Sequence, residues 1–376
     1  MNIERKLLHI LTSELIESQK IVVLYGARQT GKTTLSNKVL SKCNGKILKI
    51  NADETRYIDI LSSRNFQKIE LLVGDYDVLF IDEAQRIPDI GINLKIIHDN
   101  LPNMKILVTG SSSFELANKV KEPLTGRTIT HTLYPVSLGE LRKYFNIIDL
   151  QNRLEEFMIY GMYPELFNYK PGERKEKYLR ELASSYLYKD ILELSSIRNP
   201  SVITDLLKLL ALQIGTEISL NELAQNLKIS QETVNSYINL LESAFIIFRL
   251  KGFSRNLRKE ISKRDKIYFW DLGVRNSLIN NFSTLNLRTD KGAMWENFMI
   301  AERLKYIAYR ETFVNSYFWR TYTGAEVDYI EEKDDTLFAF EIKYKKARKK
   351  APATWNENYG SNFQCITIDN FWEFVI

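Results

Sequence analysis

Short apolar runs separated by stretches of helical period order the first 150 residues of the chain. Ile21-Val22-Val23-Leu24-Tyr25 is apolar throughout, the mark of a strand buried on both faces. Lys46–Ile50, Asp77–Asp82, Lys105–Thr109 and Thr128–Tyr134 also read as strands, with helical segments such as Thr34–Leu40 between them. This alternation predicts an α/β fold, a parallel sheet with helices on both faces. From Gln151 to Leu212 the strand signal fades. Arg174–Ser184 and Leu187–Leu194 read as amphipathic helices, and Pro164 forbids a continuous helix through Gly161–Glu165.

Beyond that, the pattern changes again. Ser219 stands as a cap before Leu220, Leu223, Ala224 and Leu227, and Ser230 before Val234, Ile238 and Leu241. Two capped helices, then a β-run at Phe245–Leu250 and a basic stretch, make a winged helix. The outward face of its second helix carries Gln231, Asn235, Ser236 and Asn239, suited to hydrogen bonds more than to phosphate attraction. This element is either a DNA reader or a structural module. Further on, Gly324–Glu331 alternates, Lys333–Thr336 is a polar turn, and Leu337–Lys343 alternates again, which predicts a hairpin.

Composition narrows the class. The chain has 376 residues, 44% hydrophobic and 26% charged, which fits two or three globular domains. No apolar run is long enough to span a bilayer, and Met1-Asn-Ile-Glu-Arg-Lys does not resemble a signal peptide. Cys43 and Cys365 give neither metal spacing nor a disulfide framework, so a cytoplasmic, reducing compartment is expected. The net charge is only +5, but it is concentrated. Arg255, Arg258, Lys259, Lys263, Arg264 and Lys266 form one basic cluster, and Lys343, Lys345, Lys346, Arg348, Lys349 and Lys350 form another. Each is either a solvated face or a site for a phosphate backbone.

Candidate chemistry begins at the end of the first apolar run. Gly26-Ala27-Arg28-Gln29-Thr30-Gly31-Lys32-Thr33, followed by Thr34, matches the phosphate-binding loop between a strand and a helix. Glycines allow backbone N–H groups to turn onto a phosphate, and the helix N-terminus adds favourable partial charge. Lys32 can reach the β- and γ-phosphates of ATP, and the Thr33 hydroxyl can hold Mg2+. Downstream, Val78–Glu83 delivers Asp82 at a strand end as a second magnesium group. It also places Glu83 to polarise an attacking water.

A second constellation lies near the C-terminus. Asp328, twelve residues, then Glu341-x-Lys343 resembles the PD-(D/E)xK nuclease arrangement. Adjacent strands bring Asp328 and Glu341 together to share a divalent metal, and Lys343 points to the same face as Glu341. Glu296, on a helix expected over Ala293–Arg303, can add a carboxylate. The alternative is a hairpin with an ordinary cross-strand ion pair.

Taken with Leu79-Phe-Ile-Asp-Glu-Ala-Gln, Thr109-Gly-Ser-Ser-Ser, Leu124-Thr-Gly-Arg, Leu133-Tyr-Pro-Val-Ser-Leu-Gly-Glu-Leu, Tyr160-Gly-Met-Tyr-Pro-Glu, Tyr188-Lys-Asp-Ile, Ile267-Tyr-Phe-Trp-Asp-Leu-Gly, Gly292-Ala-Met-Trp-Glu-Asn-Phe and Ala325-Glu-Val-Asp-Tyr, the chain resembles prokaryotic AAA+ superfamily ATPases with a C-terminal DUF4143-type domain. The resemblance implies a P-loop ATPase core over 1–150, a helical lid over 151–212, a winged helix over 213–266 and a restriction-endonuclease-like α/β domain over 267–376. It further implies that Ser111 or Ser112 either senses the γ-phosphate or caps a helix. Arg127 is either a finger for a neighbouring subunit or a surface arginine. The functional expectation is an ATP-hydrolysing, DNA-associated protein whose nucleotide state controls the C-terminal module, with ATP and Mg2+ as ligands and no membrane partner. The resemblance leaves room for a homo-oligomer. The alternative is a nucleotide-dependent regulatory switch whose C-terminal module only binds a partner.

Overall fold

The apolar runs of the first 135 residues become five parallel strands. A computed structural model describes residues 1, 3–110, 124–194, 200–254, 265–321, 323–345, 350–360 and 362–376, with backbone alone for 185–194 and 200. The chain divides into two compact units, Asn2–Pro135 with Ser243–Phe245, and Val136–Glu242 with Ile246–Ile376, to which Met1 also belongs.

In the first unit, β1 (Ile21–Tyr25), β2 (Ile47–Asn51), β3 (Val78–Asp82), β4 (Lys105–Gly110) and β5 (Thr128–Thr132) lie in the order β2-β3-β4-β1-β5. Every residue of β1 is buried, as its unbroken apolar run requires. Ile21, Val23 and Tyr25 pack with Leu79, Ile81, Ile106 and Val108, and against Leu94 and Ile97 of the helix Ile90–Asn100. Burial on this scale contributes about 25 cal/mol for each Å² of apolar surface withdrawn from water. The register pairs Tyr25 with Gly110, and Ile81 with Val108. The C-terminal ends of β1, β3 and β4 therefore finish level with one another. The run Thr128–Tyr134 outlasts β5. Leu133 still donates its N–H to the Tyr25 carbonyl at 2.7 Å, and Pro135, which has no N–H, follows shortly after.

The second unit opens with helices, among them Ile147–Tyr160, Glu173–Leu194 and Pro200–Leu212. Two shorter helices follow, Leu220–Leu227 and Gln231–Ser243. Their caps form as the sequence predicts: Ser219 Oγ accepts from the Glu222 N–H at 3.3 Å, and Ser230 Oγ from the Thr233 N–H at 3.2 Å. The strands β6 (Ile247–Gly252) and β7 (Lys266–Phe269) then pair antiparallel. They do not form a separate sheet. β6 also pairs, in parallel, with β8 (Asn315–Arg320), so one six-stranded mixed sheet runs β11-β10-β9-β8-β6-β7. The predicted hairpin is β9 (Glu326–Lys333) and β10 (Thr336–Ile342), and β11 (Phe363–Ile366) lies parallel to β10. Asp334 and Asp335 take left-handed φ of 48° and 60° at the tip, the geometry of a tight hairpin turn. Trp319, Trp355 and Phe253 pack against one face of this sheet.

Several buried polar groups fasten the second unit. Asp271 caps the helix Leu272–Leu278 and also accepts from the Met162 N–H at 2.7 Å. The approach is close enough that a Cβ on Gly273 would stand 2.0 Å from the Tyr160 carbonyl oxygen. Glu302 and Lys305, both 1% exposed, form an ion pair of 2.7 Å on the helix Lys291–Tyr309. Glu302 also accepts from the Leu138 N–H at 2.6 Å. At the head of the same helix, Asp290 receives the guanidinium groups of Arg275 at 2.5 Å and Arg288 at 2.7 Å.

Burial alone would raise the Asp290 carboxyl, but hydrogen bonds from Arg288 and Arg275 outweigh it and hold the group down at about 2. A depressed carboxyl stabilises the fold above its unfolded value near 3.8, and that contribution is lost as pH falls through about 2. Asp290→Asn is accordingly expected to lower stability at neutral pH by on the order of 2 kcal/mol. It should also flatten the acid limb between pH 4 and pH 2. Urea midpoints across that range check both.

Candidate functional site

Three strand ends meet at the level edge of the first sheet. β1 leads into Gly26–Gly31, and the helix Lys32–Leu40 follows directly. Gly26 adopts φ 151°, and a Cβ there would stand 2.3 Å from the Leu133 carbonyl oxygen, so only glycine fits. Gln29 and Gly31 also lie in the left-handed region, at φ 58° and 95°. Thr30 closes the turn by donating its hydroxyl to the Ala27 carbonyl at 2.8 Å. The Lys32 ammonium, buried at 5% exposure, bonds the Gly26 and Ala27 carbonyls at 2.9 and 3.0 Å. Arg28 and Thr34 lie in the same loop and first helical turn.

β3 delivers Asp82. The Thr33 hydroxyl donates to Asp82 Oδ2 at 2.8 Å, and the Thr109 hydroxyl at the end of β4 donates to Asp82 Oδ1. A hydroxyl and a carboxylate from opposite sides of the crevice thus converge, a pair of hard oxygen donors suited to Mg2+. Glu83 follows in a left-handed conformation, φ 54°, which turns the chain sharply after the strand, and Gln85 Nε2 donates to its carboxylate at 2.5 Å.

Arg127 is not brought to this crevice. It immediately precedes β5, whose first residue pairs with Ile21 at the start of β1. Five residues of parallel strand, roughly 17 Å, separate that edge from the loop after Tyr25. Arg127 instead grips Asp99 with two bonds, 2.8 and 3.2 Å, and these hold the Asp99 carboxyl below its usual value, with His98 adding to the effect. Ser111 and Ser112 lie outside the described residues.

The second unit carries a compact acidic cluster. Asp328 on β9 and Glu341 on β10 are each 4% exposed, and Lys343 reaches both, at 3.0 and 3.1 Å. The Ile342 N–H also donates to Asp328, at 2.7 Å. The Lys343 ammonium is desolvated, but the charges of Asp328 and Glu341 outweigh that and push its pKa up. Beside this pair sits a second one. Lys266, 2% exposed on β7, bonds Glu296 at 3.2 Å and Glu326 at 2.5 Å, and the Tyr268 hydroxyl donates to Glu296 at 2.6 Å. Burial above all, with the nearby Asp328 charge, raises the Glu296 carboxyl to about 7 against the pull of Lys266. Asp328, Glu341 and Glu296 do not bring three carboxylate oxygens within ligand distance of one another. Glu296 faces Lys266 and Tyr268, and Lys343 stands between the other two.

Residues 18–142 match the AAA domain family, residues 291–365 the domain of unknown function DUF4143, and residues 151–285 the domain of unknown function DUF8612. The chain is an AAA-domain protein with a carboxy-terminal DUF4143 domain. An uncharacterized protein of Methanocaldococcus jannaschii is 31% identical over 302 residues, covering 75% of this chain and 66% of that protein. One of Mycobacterium tuberculosis is 28% identical over 328 residues, covering 86% and 70%. The match thus spans about two thirds of these relatives' own length. A Walker-type ATPase of Pyrococcus abyssi shares the fold, with a TM-score of 0.51 over 74% of this chain and 96% of that one at 18% identity. Among the described residues, no helix is long and apolar enough to cross a membrane.

The structure adds one site residue and changes the reading of others. Thr109, to which the sequence assigns no role, is the β4 residue that touches Asp82; its place at the end of an apolar run is the available signal. Lys266 belongs to the basic cluster by sequence, yet it is buried within the acidic cluster and offers no cation to an outside phosphate. Alternation along β7 puts Lys266 and Tyr268 on one face, and alternation along β9 does the same for Glu326 and Asp328. In the helix Gln231–Ser243, Asn235 accepts from Arg249 at 3.2 Å and Asn239 accepts from the same guanidinium, while Gln231 and Ser236 stay exposed. The other basic residues at 255–264 and 346–349 lie outside the described residues.

Removing a buried cation strands its partners. Lys266→Met should therefore cost roughly 3–5 kcal/mol of stability, far above the value for an exposed lysine. Chemical denaturation of the full chain measures it, and a change below 1 kcal/mol would return Lys266 to the surface.

Proposed function

We propose that this chain binds ATP with magnesium and hydrolyses it, and that its nucleotide state governs a DNA-associated DUF4143 module. The observation that carries the first part is the meeting of Thr33 and Asp82 at 2.8 Å beside a loop whose lysine is already inside it. Backbone N–H groups of Gly26–Thr34 would surround the phosphates, and the Lys32 ammonium would exchange its two carbonyl partners for phosphate oxygens. Thr33 and Asp82 would hold magnesium, which neutralises phosphate charge when bound. Thr109 keeps the Asp82 carboxylate oriented. Glu83, turned out of β3 by its left-handed backbone, takes a proton from water as general base. With Arg127 at the far end of its own sheet, any part it plays in hydrolysis is toward a neighbouring copy, after release of Asp99.

Two carboxylates on adjacent strands fit a divalent ion in donor chemistry, so Asp328 and Glu341 would hold one in the cleaving form of the module. Lys343 would steady developing charge there. The reading in which the module binds a partner without cleaving it is favoured by one feature, the Lys343 ammonium engaged by both carboxylates at once. Exposed Gln231 and Ser236, with the basic runs between β6 and β7 and after β10, support contact with a phosphate backbone.

Lys32→Ala is expected to abolish ATP binding. Glu83→Gln should keep binding yet slow phosphate release by about a hundredfold or more, the usual worth of a positioned base. Wild-type turnover in Glu83→Gln would remove Glu83 from the reaction. For the module, the full chain with magnesium and supercoiled plasmid separates the two readings. Nicking that disappears alike in Asp328→Ala, Glu341→Ala and Lys343→Ala supports cleavage. Salt-sensitive DNA binding with no nicking supports the regulatory form.

A further inference from the structure

The N-terminal segment ahead of the helix Leu7–Glu17 contributes one side chain to the phosphate loop. Arg5 is 8% exposed. Its Nη1 donates to the Thr30 carbonyl at 2.7 Å, and its Nη2 to the Tyr134 carbonyl at 2.6 Å. One guanidinium therefore ties the crown of the loop to the chain leaving β5. We infer that Arg5 is a positioning residue for phosphate binding, fixing the Thr30–Gly31 peptide plane so that the Gly31 N–H faces the anion.

The reasoning is geometric. In a planar trans peptide the carbonyl and the following N–H point in opposite directions. Holding the Thr30 carbonyl outward against Arg5 thus holds the Gly31 N–H inward. The plane needs such a hold. It leads into Gly31, which is left-handed, and Thr30 itself follows Gln29, also left-handed. A non-glycine residue pays on the order of 1 kcal/mol for that conformation. Gly31 has no side chain, and the space where a Cβ would sit is open for 4 Å. Nothing steric at Gly31 therefore prevents the peptide from turning over. Two other carbonyls of the loop are held from inside, Gly26 and Ala27 by Lys32, and Ala27 again by Thr30 Oγ1. Arg5 holds a third, Thr30, from outside. A guanidinium suits this because its rigid fork spans two carbonyls at once, which an ammonium on a flexible stem does less well.

This assignment rests on the ATP reading above, and the test keeps the two apart. Titrate the full chain with a non-hydrolysable ATP analogue and magnesium, using wild type, Arg5→Ala, Arg5→Lys and Lys32→Ala, and record each variant's unfolding midpoint without nucleotide. Arg5→Ala should bind about tenfold more weakly or worse, the worth of one charge-assisted bond and the peptide it holds. Millimolar guanidinium should restore much of that affinity in Arg5→Ala, but none in Lys32→Ala. A merely structural role would not respond in this way. Wild-type affinity in Arg5→Ala, or a loss that guanidinium leaves unchanged, overturns the assignment. Should Arg5→Ala not fold, Arg5→Lys decides. Several-fold weaker binding at an unchanged unfolding midpoint supports the assignment, and wild-type affinity overturns it. A wild-type chain that binds no nucleotide fails the ATP reading itself, and this assignment with it.

Discussion

The parallel register of β1, β3 and β4 is the constraint from which the nucleotide crevice follows. Those strands end within a residue of one another, so a glycine loop, a carboxylate and a threonine hydroxyl arrive at one edge from three distant parts of the sequence. The buried apolar faces fix that register, since a slip of one residue would turn every side chain to the wrong face. Stability and chemistry are therefore coupled in the AAA domain. Ile81 and Val108 do not touch a ligand, yet their pairing sets where Asp82 and Thr109 stand.

In the second unit the organising groups are charges wholly or largely withdrawn from water. Glu302 with Lys305, Asp290 with two arginines, and Lys266 with two glutamates each cost free energy to bury and recover it only in one geometry. Such pairs penalise alternative packings more strongly than apolar contacts do, because a displaced partner leaves a bare charge behind. The acidic cluster of the DUF4143 region uses the same device, with Lys343 neutralising Asp328 and Glu341 at close range.

Most of this was legible in the sequence where chemistry and periodicity agree. β1 has the bounds its apolar run predicts, the phosphate loop follows it, and the hairpin around Asp328 and Glu341 turns at the expected polar residues. What could not be read was long-range pairing of polar side chains. Nothing near Arg5 in the sequence points to Thr30, and nothing in a basic run marks Lys266 as buried while leaving Lys345 outside. Asn235 and Asn239 look like outward-facing readers until Arg249, on the next strand, is found beside them. Arg127 sits in a glycine turn whose position along the sheet depends on a register that the local sequence does not contain.

The sheet that joins β6 and β7 to β8 through β11 bears on how such proteins are assembled over time. A winged helix appended as an independent bead could be exchanged for another by recombination at its ends. Here a crossover between β7 and β8 would leave two open strand edges and would split Lys266 from Glu326. The helix-turn-helix hairpin and the acidic sheet are in effect a single heritable part. The AAA unit is not a bead either, since the chain leaves it at Pro135 and returns to it at Ser243–Phe245.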